Sequence, residues 1–202
     1  MATDYLAQIS RYNVRQARPT ADRTALLVID MQHYFRALAA TVLVNVLSLL
    51  RVCRTEGVPV FFTRHGHHDP AADGGMLGRW WGDLIVYGSP EWQLFEELGA
   101  EGEAIVDKNR YSAFHDTGLD ETLRNSGVEE LIICGVLTNC CCETTAREAF
   151  VRDYRVFFVA DATATANEEL HLASLKNLAF GFAHIVSTKH ILQELKKMNV
   201  KH

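Results

Sequence analysis

The chain has 202 residues, of which 48% are apolar and 22% charged, with a formal charge of −5. Such a composition fits one globular core and excludes long disorder, and no Lys/Arg stripe offsets the negative charge to favour nucleic acid or an anionic membrane. A small molecule is the predicted partner.

Residues 1–22 lack the apolar core of a secretory signal and read as an N-terminal arm on a single domain spanning 23–202. The longest apolar runs, TALLVI and ELIICGVL, are too short to cross a bilayer, so the predicted location is the cytoplasm. Five cysteines in a reducing compartment argue against a disulfide scaffold.

Six short apolar runs are predicted as strands buried on both faces: 24–30, 59–64, 103–108, 130–136, 155–161 and 183–188. Helices are predicted at about 37–56, 90–98, 117–126, 139–153, 168–180 and 189–198. The alternation predicts an α/β fold in three layers, a six-stranded parallel doubly wound (Rossmann-like) sheet with helices on both faces. Between the second and third strands, residues 65–92 form the longest irregular stretch and read as a cover or binding loop.

Ligands of such sheets lie at the carboxyl ends of the strands. Asp30, Arg64 with His65, Lys108, Thr138 with a run of three cysteines, and Asp161 fall there. A thiol at the start of a helix is well placed to act as a nucleophile, with Thr138 or Asn139 as candidate caps. Neighbouring residues on a helix point about 100° apart, so only one of Cys140, Cys141 and Cys142 faces a given pocket squarely. Asp30 as base and Lys108 as its charged neighbour complete a Cys/Asp/Lys triad.

LLVIDMQ at the first strand, DKNRYSAF after a middle strand and GVLTNCCCETTAREA together resemble the isochorismatase-like cysteine hydrolase superfamily, from about residue 23 onward. The resemblance places the family aspartate on Asp30, its lysine on Lys108 and its nucleophile on Cys141. It also implies a non-proline cis peptide between Val136 and Leu137, with the amides of Leu137 and Cys141 as oxyanion donors. Cys140 and Cys142 are then packing residues, and Cys53 and Cys134 are buried and inert.

The surrounding motifs look most similar to isochorismatases, several of which carry Gly where this chain has Cys141. The complete triad favours amide or ureido C–N hydrolysis through a thioester. The alternative is hydrolysis of the vinyl ether of isochorismate with Asp30 as acid, and a second alternative is a non-catalytic interaction domain.

Phe35, Trp81, Arg110, Tyr111 and Phe114 are the candidate substrate-binding residues, Arg110 because arginine pairs well with the carboxylate of an anionic, planar substrate. No cofactor is assigned. No metal is assigned either; His65, His67 and Asp69 are the residues that could hold one, although the aspartate with which nicotinamidases open this motif is missing. His171 and Lys176 are read as serving stability or subunit contact. Self-association into a dimer or tetramer follows from the resemblance.

Overall fold

The computed structural model describes residues 4–196. Six parallel strands make one sheet: β1 (Thr24–Ile29), β2 (Val60–His65), β3 (Ala104–Lys108), β4 (Glu130–Val136), β5 (Arg155–Ala164) and β6 (His184–Val186), ordered β3-β2-β1-β4-β5-β6. The predicted six-stranded parallel α/β architecture is present. The helices are α1 (Tyr5–Ile9), α2 (Arg36–Ala39), α3 (Leu43–Thr55), α4 (Pro70–Asp73), α5 (Gly75–Trp81), α6 (Leu119–Asn125), α7 (Glu143–Val151), α8 (Glu168–Gly181) and α9 (Thr188–Lys196). The last two positions of the predicted helix 189–198 lie outside the described residues.

Side chains alternate across β1, so the sheet separates two apolar cores. Leu26 and Val28 face Val46, Leu49 and Leu50 of α3 and Ile191 and Leu195 of α9. Ala25, Leu27 and Ile29 face Leu119 and Leu123 of α6, Ala146 of α7 and Leu175 of α8. Ile9 of the N-terminal segment is fully buried in that second core.

Several boundaries differ from expectation. β3 is an edge strand whose Ala104, Ile105 and Asp107 are exposed, so it is not buried on both faces. The helix predicted at 37–56 is two helices bent by 104°, with the Thr41 hydroxyl bonding the Leu38 carbonyl at the break. Residues 90–98 form two 3₁₀ turns, Pro90–Trp92 and Glu96–Leu98, because the chain between them pairs with the exit of β1 instead: Leu94 bridges Gln32 and Phe95 N–H donates to the Met31 carbonyl. The 65–92 segment carries α4 and α5; the Asp69 side chain caps α4 and Gly82 closes α5 in the left-handed conformation.

The strand order reverses between β1 and β4, and a crevice opens at the carboxyl ends of those two strands. Gly135 makes their close approach possible. A Cβ there would sit 2.0 Å from the Ile29 carbonyl oxygen, and its φ of +114° is a glycine conformation.

Candidate active site

Asp30 follows the last residue of β1 with φ +48°, which turns its carboxylate inward across the crevice. Thr63 of β2 holds it twice: Asp30 N–H donates to Thr63 Oγ1 at 3.1 Å, and the hydroxyl donates to Asp30 Oδ1 at 2.5 Å. Lys108 closes β3 and donates from Nζ to Asp30 Oδ2 at 2.7 Å and to the Arg110 carbonyl at 3.1 Å. Both side chains of this ion pair are completely buried. Burial opposes the charge on Lys108, but Asp30 and Cys141 outweigh it and its pKa is raised.

Gln32 secures the same corner. Its side-chain amide donates to the carbonyls of His65 and Trp92 and accepts from His65 N–H, tying β1, β2 and the cover segment together.

Beyond β4 a cis peptide joins Val136 and Leu137, as the resemblance implied. Residues Thr138–Cys142 then make a turn of π-helix that runs directly into α7. The expected caps are used otherwise: Thr138 Oγ1 pairs with His171 Nδ1 at 2.9 Å, and Asn139 Oδ1 accepts from the Thr165 hydroxyl at 2.6 Å. His171 is buried in this contact, whereas Lys176 is exposed.

Of the three cysteines one is in the core and two reach the cavity, where only one was expected. Cys142 is fully buried in the core. Cys141 is 5% exposed at the base of a cavity of about 440 Å³, and its Sγ, a carboxylate oxygen of Asp30 and a ring nitrogen of His65 lie within 4.8 Å of one another. Burial pushes the Cys141 thiol well above its usual value; Lys108 pulls it back and Asp30 raises it further. The helix terminus therefore does not present a resting thiolate. Cys140, expected only to pack, lines the same cavity. Cys53 and Cys134 are buried, and burial raises both thiols, Cys53 to about 12.

The cavity walls are mostly apolar and aromatic. Phe35, Trp81 and Tyr111 line it as expected, joined by Tyr34, Leu38 and Leu84. Trp81 Nε1 donates to Tyr111 Oη at 2.8 Å, which links α5 to the loop after β3. Two predicted binding residues stand elsewhere. Arg110 spends its guanidinium on the carbonyls of Asp73 and Asn109, and Phe114 is buried against Tyr154. Arg64 also turns away, pairing with Asp107 and stacking on Trp92. Tyr34, Thr63, Gln32 and Asp83 were not singled out from the sequence, although Gln32 sits inside the LLVIDMQ motif and Asp83 inside WWGDLIVYGSPEWQ, which also resembles isochorismatases.

The donors expected of a metal site do not converge. His67 Nδ1 is 2.9 Å from Asp73, and the Asp69 carboxylate is taken by the Ala71 amide in capping α4. Among the described residues the donors that do converge are Asp30, His65 and Cys141, and there Asp30 is already engaged by Lys108 and Thr63. The residues present do not fit a resident metal.

Comparison with known proteins identifies the family of the chain. The family model described as Isochorismatase domain matches residues 24–190. Nicotinamidase 3 of Arabidopsis thaliana is 50% identical over 189 residues, covering 92% of this chain and 95% of the relative. The isochorismatase of Bacillus subtilis (strain 168) is 36% identical over 88% of this chain, which spans 60% of that relative's length. A crystal structure of a cysteine hydrolase from Pseudomonas syringae pv. phaseolicola 1448A superposes with a TM-score of 0.85 at 28% identity, covering 90% of this chain and 96% of that one. With a family model spanning most of its length and a relative at 50% identity, this chain is a hydrolase of the isochorismatase family.

Proposed function

We propose that the protein hydrolyses the C–N bond of a small planar amide through a thioester on Cys141. The observation that carries this reading is the convergence of the Cys141 thiol on Asp30, itself held by buried Lys108, at the base of an aromatic cavity. The relative named nicotinamidase supports the amide class.

In the first half-reaction Sγ of Cys141 bonds to the carbonyl carbon while its proton passes to the Asp30 carboxylate. The raised thiol pKa suits this order, in which the proton leaves as the bond forms. Negative charge on the carbonyl oxygen is met by the amides of Leu137 and Cys141. The C–N bond then breaks, and Asp30 returns the proton to the departing nitrogen. In the second half-reaction water attacks the thioester and gives a proton to Asp30, the S–C bond breaks, and Asp30 reprotonates the sulfur. Lys108 stays charged throughout and balances Asp30 and the developing thiolate.

The vinyl-ether alternative uses the same Asp30 as an acid and has no need of Cys141. Turnover of nicotinamide and isochorismate by the wild type, Cys141→Ala and Asp30→Ala separates the two. Amide hydrolysis abolished by Cys141→Ala supports the thioester route; isochorismate turnover that survives Cys141→Ala and fails in Asp30→Ala overturns it.

The same proposal includes a single catalytic domain over 23–202 preceded by an arm over 1–22, a cytoplasmic location, and self-association as a dimer or tetramer. Exposed Phe150, Val151 and Phe180 on α7 and α8 support the last. Light scattering of the purified protein tests it.

A further inference from the structure

We propose that Asp83 is a charge filter for the cavity, favouring uncharged substrates over anions and helping to expel the carboxylate that hydrolysis creates. The inference rests on the amide reading above and adds a selectivity that the reading does not contain.

The cavity's charge balance carries the argument. Among the described residues that line it, none is Lys or Arg. Lys108 lies behind the wall and is neutralised by Asp30 at 2.7 Å. His65, on the wall, is uncharged near neutral pH, because burial first and Lys108 second lower its pKa to about 4. The carboxylate of Asp83 is therefore the charge that the wall presents.

Asp83 is solvent-exposed and is held at the cavity rim by one side-chain contact. Gly82 ends α5 in the left-handed conformation, and Asp83 follows directly. From there the carboxylate accepts a hydrogen bond from Tyr34 Oη at 2.9 Å, a partner that anchors it without cancelling its charge. Tyr34 and Asp83 both line the cavity and meet there from two parts of the chain, one after β1 and the other after α5. Arg79 shares the adjoining surface hollow with Asp83 but does not line the cavity, and Arg110 is bonded to backbone carbonyls.

The consequence differs between substrate and product. A neutral amide meets little electrostatic resistance, whereas the acid formed from it ionises and meets a like charge. Like charges that share a partly solvated pocket repel by about 1 kcal/mol, which alters binding about five-fold.

The test uses nicotinamide and nicotinate, a neutral amide and the anion made by its hydrolysis, titrated calorimetrically into Cys141→Ala protein so that no turnover intrudes. The readout is the ratio of the two dissociation constants. It is expected to favour nicotinamide, to fall about five-fold on adding Asp83→Asn, and to fall likewise with Asp83→Ser. Raising salt from about 0.02 M to about 0.5 M shrinks the preference in Asp83 protein and leaves the Asn variant unmoved. A merely structural Asp83 would weaken both ligands together and leave the ratio unchanged. An unchanged ratio, equal binding of the two probes at low salt, or no binding of either overturns the filter. Failure of the proposed reaction is read separately, as absence of amide turnover by the wild type.

Discussion

Lys108 Nζ lies 2.7 Å from Asp30 Oδ2, and neither side chain exposes any surface to solvent. A buried pair of this kind is costly to break from one side, because the remaining ion keeps its desolvation penalty and loses its partner. Lys108→Met is expected to lower unfolding stability by about 3–5 kcal/mol in urea titrations, while Lys108→Met combined with Asp30→Leu recovers a large part of that loss. Both proteins are expected to be inactive. If Lys108→Met is as stable as the wild type, the pair is not the buried unit described.

Thr63 positions Asp30 through two hydrogen bonds, one to its backbone N–H and one to its carboxylate. Valine has nearly the same shape and makes neither. Thr63→Val is expected to cost about 2 kcal/mol in stability and to lower kcat about ten-fold with a smaller change in KM, as misplacement of the proposed base Asp30 requires. Thr63→Ser, which keeps the hydroxyl, restores most of kcat. Equal kcat in the Val and wild-type enzymes would contradict the positioning role.

Gly135 and Gly127 both have positive φ, but only Gly135 has backbone where a side chain would go. Gly135→Ala places Cβ against Ile29 and is expected to destabilise by more than about 3 kcal/mol, seen as loss of soluble protein or a large fall in Tm. Gly127→Ala, facing open space at φ +70°, leaves the site intact, and its expected cost is about 1 kcal/mol.

His65 gives stability a pH dependence of definite sign. Its folded pKa is lowered to about 4, by burial first and Lys108 second, against an unfolded value near 6.5. Between those values the unfolded chain binds the extra proton, so this contribution is complete above about pH 6.5 and is lost as pH falls towards about 4. The full span amounts to about 3 kcal/mol. Urea midpoints measured across the window are expected to fall with pH in the wild type and to fall less steeply in His65→Gln. Parallel slopes would show that His65 is not the group responsible.

Much of this was legible in the sequence, and the exceptions have physical causes. Strand and helix alternation located all six strands, and the quoted motifs led to Asp30, Lys108 and Cys141, which the fold brings together. The residues that orient them left weaker traces. Thr63 sits in an apolar strand like any half-buried threonine, and its contact with Asp30 spans 33 positions. Arg110 was expected to meet substrate on the strength of its chemistry, but its chain direction after β3 sends the guanidinium to the carbonyls of Asp73 and Asn109. Cys140 was assigned to packing because the resemblance puts small or β-branched apolar residues at its place; the cavity is wide enough to reach it as well as Cys141. In 90–98, pairing with the exit of β1 overrode helix propensity, a contact invisible from the segment itself.

The most direct measurement is the intact mass of enzyme quenched during turnover of nicotinamide, followed by peptide mapping. The expected result is an acyl adduct confined to Cys141, absent from Cys141→Ala, and longer-lived when deacylation is slowed. Full turnover by Cys141→Ala, or an adduct on Cys140 instead, would contradict the mechanism at its nucleophile.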